Sequence, residues 1–242
     1  MANVQAAPAG RIAVIGAGPV GCATLAHLSA RGHAAALYSP TAGRLNRSSG
    51  MVSFRSEGAV EASVEAEFVV TPDDLRNFDT LFVCLPATAF VRVLGPLGGV
   101  WRDGQRIIVS GALSLSPLWI ENAAKRNGAA VDVAGWGTTL TTAHFVENAK
   151  VHVNPIRARI DIAALGETSE QVVALCRGLF GTAFVRSDNL LGPLFANINP
   201  IAHAAEVLPN VTRMDKGEEW ALFGNFTEAV GRLAEALDAE RD

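Results

Sequence analysis

The segment RIAVIGAGPVGCATLAHLSARGHAAALYSP, residues 11–40, constrains the fold more than any other part of the chain. Ile12 to Ile15 is an unbroken apolar run, the pattern of a parallel strand covered on both faces. It leads directly into Gly16-Ala17-Gly18-Pro19-Val20-Gly21, and from Pro19 to Arg31 apolar residues recur at helical spacing until Gly32 stops them. A second apolar run, Ala35 to Ser39, reads as the next strand. Each glycine of the turn has its own steric reason. Gly16 permits the sharp exit from the strand, Gly18 lets a bound group approach the backbone, and Gly21 lets the helix lie close to the sheet. Pro19 has no N–H to lose and suits the first helical turn. The N–H groups around Val20 and the positive end of the helix dipole make a seat for a pyrophosphate. A glycine turn that no longer holds a ligand is the bland alternative.

Further apolar runs extend this unit into a larger sheet. VSF, EFVV, TLFVCLP, RIIVSG and AAVDVAG read as strands, with helical segments at about 87–97 and 116–127. Alternation of strand and helix predicts the α/β class, a Rossmann-type doubly wound parallel sheet with right-handed crossovers. AKVHVNPIRARIDIAAL alternates with period 2 and reads as a pair of strands or one long bent strand. SEQVVALCRGLFG is an amphipathic helix, and AFVRS a short strand. From Asp188 the pattern is helical: Asp188 or Asn189 is placed to cap one helix, and NFTEAVGRLAEALDAERD forms another. The expected organisation is an NAD(P)-binding domain over residues 1–187 and a partial, all-helical substrate or dimerisation segment over 188–242, too short to bury a full core by itself.

Composition narrows the partners. Twenty Lys+Arg against 24 Asp+Glu, with no basic block, argue against nucleic acid, which needs clustered cations. No apolar run approaches the roughly 18 to 20 residues that span a bilayer. The start MANVQAAPAG lacks a secretory pattern, so the expectation is a cytoplasmic protein without a membrane partner. Cys22, Cys84 and Cys176 are far apart, sit in apolar runs and form no CxxC, which predicts reduced core thiols and no metal site.

The end of the second strand reads Leu37-Tyr38-Ser39-Pro40, without the acid that would take the 2′-hydroxyl of NAD. Arg44 and Arg47 follow in the adjoining loop and suit a 2′-phosphate. NADP(H) is therefore preferred and NAD(H) is the second choice; the alternative for either arginine is a solvated surface role. Leu85, Pro86, Ala87 and Thr88 lie where the crevice of such a sheet opens, as does VSGALS from Val109, so both segments are candidates for the nicotinamide side or plain strand-to-helix turns. Late in the chain, ANINPIAHAAEVLPN (196–210) brings together Asn199, His203 and Glu206. Histidine handles protons near neutral pH, and a carboxylate at i+3 on a helix shares its face. Equally, Asn199-Pro200 is an ordinary helix start. Arg157 and Arg159 are expected on the preceding strand as carboxylate clamps, with only one facing the site; Arg157 is the substrate-binding candidate. His144 in a Thr-rich loop and His152 on an alternating strand read as structural, and His27 and His33 as surface residues flanking the first helix.

GAGPVG, LPATAF, VHVNPIRARIDIAAL, NINPIAHAAEVLPN and EALDAER occur in this order along nearly the whole chain. Together they resemble the octopine/nopaline (opine) dehydrogenase family, including bacterial relatives that finish opine-type metallophores. The last two elements are the most specific to that family. The resemblance implies an NAD(P)H-dependent reductive condensation, in which a 2-oxo acid and the amine of an amino acid form an imine that is then reduced. It implies His203 and Glu206 as the acid/base pair, with glutamate where the family commonly has aspartate, and Asn199 as the motif asparagine. Two departures stand out. The loop GWGTTLTTAHF lacks the glutamate and arginine usual there, and the family's helical domain continues well beyond DAER, whereas this chain stops at Asp242. Two other functions remain open. A 2-oxo-acid or ketopantoate-type reductase would normally use a lysine acid, yet only Lys216 follows Lys150. A non-catalytic NADP-binding scaffold would need neither. The apolar stripe of the helical segment leads us to expect a homodimer.

Overall fold

The chain begins its fold as the glycine turn predicts, with β1 (Ile12–Ile15), α1 (Pro19–Ala30) and β2 (Ala35–Tyr38). The computed structural model describes residues 8–112, 115–165, 169–195, 197–221 and 223–240. Leu113 and Ser114 of VSGALS, Ala196 at the head of the late polar segment, and Arg241 of EALDAER lie outside them. The chain continues through β3 (Asn46–Ser48), β4 (Met51–Gly58), β5 (Ala62–Val69), β6 (Thr80–Val83), α2 (Ala87–Leu94), β7 (Arg106–Val109), α3 (Ser116–Arg126) and β8 (Asp132–Trp136). Then come β9 (Ala143–Glu147), β10 (Lys150–Val153), β11 (Arg159–Leu165), α4 (Ser169–Phe180), β12 (Ala183–Arg186), α5 (Leu191–Phe195), α6 (Asn199–Asp215) and α7 (Glu228–Ala239).

The strands lie in the order β12-β11-β8-β7-β6-β1-β2-β5-β4-β10-β9, with β3 paired to β4. From β8 to β5 every pairing is parallel, which makes this the Rossmann-type, doubly wound heart of the sheet. Its strands are short and apolar because both faces are covered. In β1, Ile12 and Val14 join a core with α1 and α4, while Ala13 and Ile15 join another with α2 and α3. The first core holds Phe82, Trp136, Phe180 and Phe184 with ring centroids 5.0–6.2 Å apart, a range in which tilted and edge-on pairs attract.

Two parts differ from the sequence expectation. No helix crosses from β2 to β5; instead β3, β4 and β5 form an antiparallel meander. VSF and EFVV are only the apolar ends of longer strands whose inward residues, Val52, Phe54 and Val64, Ala66, Phe68, alternate with solvated ones. Alternation marks a half-covered antiparallel ribbon, and short apolar fragments hid it. In addition, His144 lies on a strand, β9, rather than in a loop. β9 pairs antiparallel with β10, and β10 pairs parallel with β4, extending the sheet on that side.

The chain divides into two compact units, one ending at Leu194 and one beginning at Phe195. In the second, α6 and α7 pack on each other. Thr227 Oγ1 accepts from Val230 N at the start of α7. α6 continues through Pro209, which cannot donate to the carbonyl four residues back. Next to this gap, Asn210 Nδ2 donates to the Glu206 carbonyl at 2.8 Å and secures the weakened turn.

Candidate functional site

The carboxyl ends of β1, β6, β7 and β8 all open on one edge of the sheet, where doubly wound folds bind ligands. Gly16 leaves β1 at φ +122°, and a Cβ there would lie 2.5 Å from the Cys84 carbonyl oxygen. A Cβ on Gly21 would lie 1.9 Å from the Gly16 carbonyl oxygen, so α1 sits against the turn as only glycine allows. Gly18 is different. It caps α1 in an extended conformation, without a side-chain cap, and a Cβ on it would meet nothing within 4 Å. The space above Gly18, at a helix N-terminus whose first amides have no intrahelical partner, fits a dinucleotide pyrophosphate. Pro19 and Val20, both half-buried, open the helix.

Leu85 borders this turn, its Cδ2 lying 3.0 Å from the Cβ position of Gly16. Pro86 caps α2 and Ala87 begins it, both exposed beside the same edge. After β7, Gly111 (φ +66°) approaches Thr139 Cγ2 to 3.0 Å at its Cβ position. Thr139 belongs to the loop after β8, which is knitted by its own polar groups: Thr141 Oγ1 donates to the Asn154 carbonyl at 2.6 Å, and Asn154 Nδ2 to Thr142 Oγ1 at 2.8 Å. Arg157 precedes β11 rather than lying on it, and its Nε donates to the Thr139 carbonyl at 3.0 Å. Arg159 opens β11 and pairs with Asp161 at 3.1 Å.

After β2, Ser39 is buried and its N–H donates to the Val69 carbonyl at 3.2 Å. Arg44 is held by the β9–β10 hairpin, its Nε donating to Asn148 Oδ1 at 3.2 Å and its guanidinium lying over the Phe145 ring. Arg47, on β3, lies over Phe68. The partners Asn148 and Thr139 carry no motif that would have announced them. In the second unit, Asn199 is the exposed first residue of α6, and its N–H donates to Asn197 Oδ1 at 3.1 Å. His203 is exposed and Glu206 is buried. Among the described residues, neither carboxylate oxygen of Glu206 has a hydrogen-bond partner.

Cys22, Cys84 and Cys176 are buried free thiols, and burial pushes them up to about 12, 11 and 12 respectively. His27 is not a simple surface residue: it is half-buried, stacks on Phe180, and its Nε2 bonds the Phe180 carbonyl at 2.9 Å. His152 lies beside His144 with the rings tilted, and it faces Glu57 at 3.6 Å. A cavity of about 400 Å³ opens at the opposite edge of the sheet, lined by Arg11, Ile12, His33 and Glu67, away from the glycine turn. Among the described residues no His/Cys/Asp/Glu cluster could hold a metal, and no helix is long and apolar enough to cross a membrane.

Residues 12–110 match a family model described as ketopantoate reductase PanE/ApbA, so this stretch is ketopantoate reductase-like. No curated protein matches the sequence. A PanE/ApbA family ketopantoate reductase from Ralstonia eutropha JMP134 is similar in structure over 96% of this chain and 72% of its own, at 17% identity and a TM-score of 0.64. Octopine dehydrogenase in complex with NADH and agmatine is similar over 85% of this chain and 55% of its own, at 15% identity and a TM-score of 0.65. NADP+-bound yersinopine dehydrogenase follows, with 82% and 52% covered, 16% identity and a TM-score of 0.58. Identities this low establish a shared fold. The chain spans only about half the length of the two opine-type dehydrogenases.

Proposed function

We propose that this chain is a nicotinamide-dependent oxidoreductase that reduces a 2-oxo acid or the imine such an acid forms with an amino acid, with NADP(H) preferred over NAD(H). The observation that carries this is the open space over Gly18 at the uncapped start of α1. A bound reduced nicotinamide supplies a two-electron reducing equivalent to the substrate's double bond. The chain's own groups do the rest. The amides of α1 hold the pyrophosphate, Leu85 to Ala87 border the nicotinamide, and Arg44 and Arg47 take the 2′-phosphate. Arg157 has its Nε fixed on the Thr139 carbonyl, which leaves its two terminal nitrogens for a substrate carboxylate. His203 delivers a proton to the substrate nitrogen or oxygen, and Asn199 hydrogen-bonds the substrate.

The opine-type reaction is supported by the His203–Glu206 spacing within the late motif and by the scarcity of lysines after Lys150. A ketopantoate-type reaction is supported by the family match over residues 12–110. NADPH oxidation with a panel of 2-oxo acids, each with and without amino acids, separates them. Turnover that requires the amine identifies the opine type, and turnover without it the ketopantoate type. No turnover with any combination, despite cofactor binding, refutes catalysis and leaves a binding scaffold. Replacing His203 with alanine is expected to lower kcat by about 10²–10⁴-fold with the NADPH Kd unchanged. A homodimer would cover the exposed row Leu208, Val211 and Met214 on α6, and sedimentation equilibrium tests it.

A further inference from the structure

The loop between β2 and β3 runs close to the glycine turn. A Cβ at Gly43 (φ +60°) would lie 3.7 Å from the Ala17 carbonyl oxygen, and Leu45 is buried in the core beyond it. Arg44 stands between these two residues in the chain. Yet what holds Arg44 lies 104 residues further along. The Ala149 N–H donates to the Arg44 carbonyl at 2.8 Å, Arg44 Nε donates to Asn148 Oδ1 at 3.2 Å, and the guanidinium carbon lies 5.2 Å from the centroid of Phe145. All of these partners belong to the β9–β10 hairpin, whose strands also pack on α1. Backbone and side chain of Arg44 are thus fixed by one hairpin on the helix that carries the pyrophosphate seat.

We infer that the β9–β10 hairpin is the positioning device for 2′-phosphate recognition, with Asn148 the residue that aims Arg44; this rests on the cofactor assignment proposed above. The chemistry of the contact supports it. Spending Nε on Asn148 leaves the Nη1/Nη2 edge, which can grip a phosphate with two parallel hydrogen bonds. One face of the guanidinium is closed by Phe145. The partner is also a neutral carboxamide. A carboxylate would fix the arginine as well but would cancel its charge and repel a phosphate dianion, whereas asparagine orients without neutralising. Arg47 lies over Phe68, outside this arrangement, so its share of 2′-phosphate binding does not depend on Asn148.

The test measures equilibrium Kd for NADPH and NADH in the wild-type chain and in N148A, N148D, R44A and R47A, with thermal unfolding of each. N148A is expected to weaken NADPH about tenfold and NADH less than about twofold, the loss expected of one hydrogen bond to a charged group. N148D keeps the acceptor oxygen but adds an anion, and should weaken NADPH further than N148A. R44A/N148A should be no worse than R44A, because the two residues act as one unit. The proposal is overturned if N148A weakens both dinucleotides equally, which is the mark of a merely structural role. It is overturned as well if R44A abolishes the NADPH preference while N148A leaves it intact, in which case the cofactor assignment survives. A wild-type chain that binds neither dinucleotide overturns the assignment itself and the proposal with it.

Discussion

Gly16, Gly18 and Gly21 share one turn but answer to different constraints, and substitutions separate them. Gly21 is required by packing, since a Cβ would overlap the Gly16 carbonyl, so G21A should cost at least about 1–3 kcal/mol in chemical unfolding. Gly18 has open space, so G18A should unfold within about 0.5–1 kcal/mol of the wild type while losing most of its NADPH affinity in a fluorescence titration. Undiminished affinity in G18A would remove the cradle. At His27, burial holds the imidazole below the ordinary value of 6.5 despite its bond to the Phe180 carbonyl. Well above pH 6.5 the imidazole is neutral in both states. As the pH drops below that, the unfolded chain takes up the proton first, so stability falls until the lower folded value is passed. Thermal unfolding from pH 8 to pH 5 should show this decline, and H27Q, which keeps a donor but does not titrate, should flatten it.

At the scale of elements, α6 is the helix whose sequence most opposes it. Pro209 removes one intrahelical donor, and the Asn210 side chain bonds the neighbouring Glu206 carbonyl. P209A should therefore stabilise the helix by about 1–3 kcal/mol, and N210A should destabilise it by about 1 kcal/mol. N210A should cost less in the P209A background than alone, because the two positions share one gap in the ladder. Equal costs in both backgrounds, read from unfolding curves, would show that Asn210 does not compensate for the proline. The strands of the parallel heart were legible because four-residue apolar runs bounded by turns have few other uses. β9 was not legible. Its apolar residues Phe145 and Val146 stand between His144 and Glu147, too short a run to read as a strand.

For the whole molecule, a cofactor that binds the folded state alone must raise the unfolding temperature. At about 100 times its Kd, NADPH contributes about 2.7 kcal/mol, or roughly 5–10 °C for a chain of this size. NADH at the same concentration should give a smaller rise if the 2′-phosphate is recognised. Equal rises would argue that Arg44 and Arg47 are only surface cations, and no rise with either would remove the cofactor. The measurement reports on the unit ending at Leu194, which contains the glycine turn.

The sequence by itself determined the glycine turn, the βαβ unit around it, the parallel heart and the buried, unlinked cysteines. Each follows from neighbours in the chain: steric limits within a turn, apolar runs between turns, or the absence of a ligand spacing. Only the tertiary structure decided that the meander β3–β5 and the β9–β10 hairpin complete the sheet, that Asn148 carries Arg44, and that Thr139 fixes Arg157. It also separated His203, exposed, from Glu206, buried, on one helix. The physical reason is distance along the chain. A hydrogen bond between positions 44 and 148 leaves no period and no spacing to read, because those groups become neighbours only after the sheet between them has closed.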